Sequence, residues 1–228
     1  MNRVHRWFRR CPQAGCSAWR AVETRSTALS IPATLPRMTD LLFVIGPPAV
    51  GKMTVGEAIA ARTGYRVFHN HLTIEPVLRF FDFGTPPFHR LVEGFRTSVL
   101  EEVAAGDLPG LVFTYVWAFD HPGDAEAVAG YAEPFIRRGA QVRYLELEAT
   151  QAARLDRNGG ADRLAAKPSK RDLDRSRDLL LQADSDYKLN STTEFDGRED
   201  YLRVDNTTLS PREVADITIK HFGLPVCS

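Results

Sequence analysis

Residues 41–54 read LLFVIGPPAVGKMT. The first five form an unbroken apolar run, which is typical of a strand covered on both faces in a parallel sheet. Gly46 and Gly51 then enclose a short segment rich in proline, and the residues from Lys52 onward carry apolar side chains at helical spacing. The pattern therefore predicts a strand, a tight loop and a helix in immediate succession.

The loop between this strand and helix has the chemistry of a phosphate site. Residues 46–52 match G-x-x-x-x-G-K, and the strand before and the helix after supply the context that this motif requires. Glycines let backbone amides approach anionic oxygens, while the helix N-terminus adds about half a positive charge and the lysine a full one. We expect the loop to contact nucleotide phosphates through Gly46, Pro47, Ala49, Val50, Gly51, Lys52, Met53 and Thr54.

The residue after Lys52 departs from the commonest form of the motif. Met53 stands where a Ser or Thr hydroxyl usually reaches Mg²⁺, and Thr54 follows one position later. This G-x-P-x-x-G-K-x-T form resembles the loop of the adenylate kinase-like superfamily, which includes nucleoside-monophosphate kinases, shikimate kinase and chloramphenicol phosphotransferase. The resemblance covers residues 41–222 and implies ATP and Mg²⁺ as cofactors. It also implies that Lys52 contacts the β and γ phosphates and Thr54 a phosphate or metal-bound water, with direct metal coordination left open.

The remainder of the chain alternates predicted strands and helices. Strands are expected over residues 65–68, 110–117, 141–147 and 201–204, and Ser210 begins a last helix as a cap followed by proline. This order predicts an α/β protein with a parallel sheet between two helical layers. With the resemblance, it indicates a three-layer α/β/α P-loop NTPase fold with a five-stranded parallel sheet and a helical lid. Ligands in such folds bind at the carboxyl ends of the strands.

Basic residues cluster after the predicted fourth strand, at about residues 154–171. Their position resembles the lid of these kinases, in which arginines close over the transferring phosphate. By this resemblance Arg157 and Arg163 are catalytic candidates, and Arg154 is a nucleotide contact. The spacing of Asp172 and Arg175 is equally typical of a solvated, salt-bridged helix face, so both interpretations stay open.

The loop after the fifth predicted strand is a second nucleotide candidate. In the same superfamily it borders the adenine base, which makes Asn206 and Thr207 candidate base contacts. As sequence alone, the same residues also make a good turn before a capped helix.

Acceptor recognition is expected near the ends of the second and third predicted strands. The superfamily has an acid at the first of these places in shikimate kinase-like members, and this chain has His69 and His71 instead. Imidazole is the commonest general base, so His71 is a catalytic candidate. Asp120 is a catalytic and metal candidate as a Walker B-like acid, although Thr114 could occupy that position. Arg96 is the candidate contact for an anionic acceptor.

Composition narrows the functional classes. The 228 residues contain 29 Lys plus Arg and 29 Asp plus Glu, so no bulk field favours nucleic acid or a membrane surface. Three cysteines near the ends suit a reducing, cytoplasmic setting. Residues 1–38 are rich in arginine and are interpreted as a disordered or mis-started tail, with a transit peptide as the alternative. The kinase domain is then residues 39–228, acting as a monomer or homodimer.

The sequence therefore predicts an ATP-dependent phosphotransferase that acts on a small-molecule acceptor. A nucleoside or nucleotide kinase is the nearest alternative. A nucleotide-binding regulatory protein with little turnover is the alternative from another class.

Overall fold

The computed structural model describes residues 38–160, Ser169 and residues 172–227, all within one compact unit. Most of the predicted N-terminal tail and Arg163 of the predicted lid lie outside the described residues. No helix in the described part is both long and apolar enough to cross a bilayer.

The described elements are, in chain order, β1 (Asp40–Ile45), α1 (Lys52–Thr63), β2 (Arg66–His69), α2 (His71–Val77), α3 (Pro86–Ala105), β3 (Gly110–Thr114), α4 (Pro122–Ile136), β4 (Val142–Glu148), α5 (Gln151–Asn158), α6 (Leu173–Asp186), β5 (Tyr201–Asp205) and α7 (Pro211–Phe222).

The five strands form one parallel sheet in the order β2-β3-β1-β4-β5. The α/β prediction with a five-stranded parallel sheet is confirmed. The chain leaves β1 toward β2 and β3 on one side and later reaches β4 and β5 on the other, which makes the carboxyl end of β1 a topological switch point. Val44 pairs with Thr114 of β3 and Ile45 with Glu146 of β4, so both neighbouring strands end beside the loop that follows β1.

Both faces of the sheet are covered by helices. Phe43 of β1 packs into a core with Leu100 of α3 and Phe135 of α4. Val44, the next residue, belongs to the opposite core with Ile59 of α1 and residues of α7. Successive residues of a strand point to opposite faces, so a strand buried on both faces must be apolar throughout. This explains the unbroken apolar run and confirms the three layers.

Helix ends follow the local signals, whereas one strand is shorter than predicted. Gly64 ends α1 in the left-handed region at φ 72°, and Ser210 caps α7 through a capping box. The third strand ends at Thr114 rather than at residue 117. Beyond it, the ring of Trp117 stacks on Phe119 at 4.7 Å between centroids, so the apolar residues pack as a loop instead of extending the ladder.

A buried carboxylate fixes the segment before β5 onto the sheet. Glu146 of β4 is fully buried and accepts hydrogen bonds from Asn190 Nδ2 at 2.7 Å and from the Ser191 hydroxyl at 2.7 Å. The Tyr201 hydroxyl donates at 2.8 Å and Arg203 Nη2 at 3.0 Å. Burial alone raises the pKa of Glu146, but these hydrogen bonds outweigh burial and lower the pKa below its ordinary value.

Replacing Glu146 with glutamine should lower the free energy of unfolding by about 2 kcal/mol at neutral pH, because charge-assisted hydrogen bonds in a buried network are lost. A carboxylate with a lowered folded-state pKa stabilises the fold above its unfolded pKa and loses that contribution as the pH falls through the folded pKa. The difference between the wild type and Glu146→Gln should therefore shrink below about pH 4. Denaturant unfolding at several pH values measures it, with exposed Glu199→Gln as the control. Equal stability of the two proteins at neutral pH would contradict the role of the network.

Candidate functional site: the phosphate loop and its cavity

The loop after β1 requires glycine at two positions. Gly46 has φ 133°, and a Cβ there would lie 2.4 Å from the Leu147 carbonyl oxygen of β4. Gly51 has φ 104° and stands directly before α1 as its N-cap. Both conformations belong to the left-handed region that favours glycine, so the loop can run close to β4 and still present its amides at the start of α1.

Lys52 folds back over this loop. Its ammonium donates to the carbonyl oxygens of Gly46 at 2.6 Å and Pro47 at 2.7 Å. The buried amide of Asn206 reaches the same loop, because Nδ2 donates to the Val50 carbonyl at 2.8 Å. The positive charge of the lysine is therefore held across the loop, at the N-terminus of α1, where the helix dipole also favours an anion.

A cavity of about 1070 Å³ extends from the loop along the carboxyl ends of the strands. The position agrees with the rule that open parallel sheets bind ligands at the switch point. Its lining comes from the phosphate loop, the ends of β2 and β3, α2, α6 and the loop after β5. Residues that line it include Pro48, Ala49, Val50, Gly51, Lys52, Met53, Thr54, Asn70, His71, Ile74, Leu78, Asp82, Phe83, Thr114, Val116, Arg157, Ser169, Arg175, Leu179 and Asn206.

Arg157 lies on the β4 and β5 side of this cavity. Its Nη2 donates to the carbonyl oxygens of Asn206 at 2.7 Å and Thr207 at 3.0 Å, and its Nη1 to Val50 at 3.3 Å. The guanidinium thus joins the phosphate loop to the loop after β5. The Thr207 hydroxyl accepts from the Thr150 amide at 3.0 Å, and Thr207 does not line the cavity.

Arg154 has a different position from the one its prediction requires. It is buried, does not line the cavity, and forms a bidentate pair with Asp184 of α6 at 2.9 and 2.6 Å. Its Nη1 also donates to the Pro48 carbonyl at 3.4 Å. Because its donors are directed to protein oxygens, Arg154 connects α6 to the phosphate loop and positions that loop.

On the β2 and β3 side, His71 forms a dyad with Glu75. His71 Nδ1 lies 3.0 Å from Glu75 Oε1, one turn later on α2. Ser169 donates to the same carboxylate through its hydroxyl at 2.6 Å and its amide at 3.1 Å. Burial alone raises the pKa of Glu75, but the hydrogen bonds from His71 and Ser169 lower it from 4.5 to about 2. An ionised carboxylate only accepts, so His71 Nδ1 is the donor of this hydrogen bond.

Arg96 is buried away from the cavity, in contrast to its expected contact with an anionic acceptor. Only 3% of it is exposed, and its Nη1 donates to Glu93 at 2.8 Å and to the Tyr131 hydroxyl at 2.7 Å. Its Nη2 donates to Asn70 Oδ1. The Asn70 amide in turn donates to the Thr114 hydroxyl at 3.2 Å. Arg96 therefore orients Asn70, and Asn70 and Thr114 are the groups that line the cavity.

The two residues predicted to bind a metal ion, Thr54 and Asp120, lie in different places in the structure. Thr54 lines the cavity in the first turn of α1, whereas Asp120 does not line it and accepts from the Lys188 amide at 3.0 Å. The Ala118-Phe119 extension carries Asp120 past the end of β3, and the structure does not bring it to the phosphate loop. Among the described residues, no group of three or more acidic, histidine or cysteine side chains could hold a metal by itself. A Mg²⁺ ion that is bound to nucleotide phosphates needs only a few protein ligands. The hydroxyls of Thr54 and Thr114 are suitable ligands of this kind.

Three residues of this region, Glu75, Ser169 and Asp184, were not predicted from the sequence. Glu75 carried a signal, since it follows His71 by one helical turn. Ser169 and Asp184 carried none, because their partners lie 94 and 30 residues away along the chain.

A glycine-dependent phosphate loop at the centre of a parallel sheet, opening into a deep cavity, defines a P-loop nucleotide-binding fold. No protein-family model matches the sequence, and no curated protein matches it. Solved structures do resemble it. A sugar kinase from a Janibacter species aligns with a TM-score of 0.52 and 14% identity, over 82% of this chain and 95% of the other.

Two further structures agree with that fold. The Deinococcus radiodurans tunicamycin resistance protein aligns with a TM-score of 0.50 and 16% identity, over 83% of this chain and 99% of the other. The APS kinase of Mycobacterium tuberculosis, solved with AMPPNP and APS, aligns with a TM-score of 0.50 and 12% identity, over 82% and 99%. This chain therefore has the fold of the P-loop small-molecule kinases.

Proposed function

We propose that this chain transfers the γ-phosphate of ATP to a hydroxyl group of a small molecule. The observation that carries the proposal is the continuity of one cavity from the phosphate loop to the His71–Glu75 dyad. A nucleotide phosphate and an acceptor hydroxyl can meet in such a cavity, and phosphoryl transfer depends mainly on positioning and electrostatic stabilisation. The fold shared with small-molecule kinases supports the same reaction class.

The nucleotide binds on the β4 and β5 side in this proposal. The amides of the phosphate loop and the ammonium of Lys52 hold the β and γ phosphates, and Asn206 and Arg157 lie beside the base. Thr54 and Thr114 would hold Mg²⁺ together with phosphate oxygens. The metal ion would neutralise phosphate charge. Arg163, outside the described residues, stays a predicted contact of the transferring phosphate.

The acceptor binds on the β2 and β3 side. Its hydroxyl gives a proton to His71 Nε2, and Glu75 stabilises the imidazolium that results. Ser169 belongs to the predicted lid, and its hydroxyl donates to Glu75 of the dyad. That contact would help to exclude water, which otherwise competes with the acceptor for the phosphate.

Calorimetry on the folded protein tests the nucleotide part of the proposal. ATP should release heat of binding with micromolar affinity, and adenosine should bind far more weakly because the loop recognises the phosphates. Mass spectrometry of mixtures with candidate alcohols should then show products heavier by one phosphate. An absence of binding heat from ATP, with and without Mg²⁺, would overturn the proposal.

A further inference from the structure

The acceptor end of the cavity is apolar. Its wall is formed by side chains of α2, of the connection between α2 and α3, and of the segment after β3. Neutral polar groups are confined to the neighbourhood of the dyad, where Asn70 and Thr114 lie. The apolar lining residues of this end are Ile74, Leu78, Phe83 and Val116.

Positive charge in the cavity is concentrated on the nucleotide side. Among the described lining residues the lysines and arginines are Lys52, Arg157 and Arg175. The first two belong to the phosphate loop region, and Arg175 lies on α6, which packs against α5 after β4. Within the described lining, the residues of α2 and the ends of β2 and β3 include no lysine or arginine.

The acceptor end instead carries negative charge. Asp82 lines it, and the imidazole of His71 is paired with an ionised carboxylate. Arg96, the buried cation that donates to Asn70, is neutralised by Glu93 and hydrogen-bonded to Tyr131. An anionic acceptor would therefore lose hydration and meet like charge without a compensating cation in this part of the described wall.

One apolar side chain at this end is unusually exposed. Phe83 is 72% exposed although its ring packs on Phe88 at 5.0 Å between centroids. It lines the cavity. Exposed apolar side chains around a concave site gain free energy when the body of a ligand covers them.

We propose that the acceptor is an uncharged alcohol whose hydroxyl is attached to an apolar body, in preference to a sugar acid or a nucleoside monophosphate. This inference rests on the proposed function. The acceptor O–H gives its proton to His71 Nε2, and the acceptor oxygen bonds to the γ-phosphorus. The bond from the γ-phosphorus to the β,γ-bridging oxygen breaks, and ADP leaves with that electron pair.

Paired ligands test the acceptor class. Aryl and alkyl alcohols, each matched with a derivative bearing a carboxylate, are titrated into the protein saturated with a non-hydrolysable ATP analogue, with neutral polyols and nucleoside monophosphates as further sets. The uncharged apolar alcohols should bind at least about tenfold more tightly than their carboxylate partners and should gain one phosphate with ATP. Tighter binding by the carboxylates, polyols or nucleoside monophosphates would overturn the inference, as would binding by none of the sets.

Variants at the apolar wall give the second test. Phe83→Gln should raise KM for the alcohols about tenfold, with the affinity for the ATP analogue unchanged, because apolar contact with the acceptor is lost. Phe80→Gln, in the same connection, exposed and outside the lining, is the matched control and should leave KM unaltered. An equal KM in wild type and Phe83→Gln would count against the apolar wall.

The outcomes separate this inference from the proposed function. Loss of ATP binding in the wild-type protein would overturn the phosphotransferase itself. Intact ATP binding together with phosphorylation of anionic acceptors alone would overturn only the acceptor class.

Discussion

Lys52→Ala should lower kcat/KM about a thousandfold, which corresponds to about 4 kcal/mol of transition-state stabilisation. The reason is electrostatic. The ammonium is the full positive charge held over the phosphate loop, where it donates to the Gly46 and Pro47 carbonyls. Charge that develops on the transferring oxygens would then lose the stabilisation that this ammonium supplies.

Steady-state kinetics with a responding acceptor measures this effect, and calorimetry with ATP measures the accompanying loss of affinity. Lys220→Ala removes an exposed lysine on α7 and should leave both quantities unchanged. Circular dichroism of Lys52→Ala should match the wild type, because the lysine belongs to none of the three hydrophobic clusters of the described residues. Normal turnover by Lys52→Ala would remove the phosphate loop from the proposed active site.

His71→Ala should lower kcat about a hundredfold or more, because the acceptor hydroxyl loses its general base. The affinity for ATP should not change, since His71 lies on the β2 and β3 side of the cavity. His89→Ala is the matched control, being an exposed histidine on α3 outside the lining. A wild-type kcat in His71→Ala would assign that residue a structural role.

The variant Glu75→Gln tests whether Glu75 influences proton transfer to His71 or only orients its imidazole ring. A neutral amide still reaches Nδ1 but no longer favours the protonated imidazole, so kcat should fall about tenfold. The acidic limb of the pH profile of kcat should move to lower pH for the same reason. An unshifted profile would show that the 3.0 Å contact between Glu75 and His71 does not influence proton transfer.

The phosphate loop could be predicted because its requirements are local. The backbone conformation of the loop requires glycine at residues 46 and 51. The adjacent run is apolar because the strand is buried on both faces. The capping box at Ser210 is likewise a contact between residues three apart. Such signals depend on near neighbours in the chain, and the structure confirms these elements.

Positions that depend on distant partners could not be predicted in this way. The resemblance assigns Arg154 to the nucleotide, Arg157 to the catalytic lid and Asp120 to a Walker B-like position. In the structure Arg154 pairs with Asp184, Asp120 binds the Lys188 amide, and Arg157 alone of the three lines the cavity. Charge and approximate position were visible in the sequence, but the direction of each side chain was not.

The sequence by itself determined the strand, loop and helix that form the predicted phosphate site, and the alternation that yields a parallel sheet. Only the tertiary structure decided the strand order, the pairing of Ser169 with Glu75 and the apolar character of the acceptor wall. The physical reason is the range of the interactions. Backbone conformation and periodicity are set within a few residues, whereas a cavity wall is assembled from elements that meet only when the chain has folded.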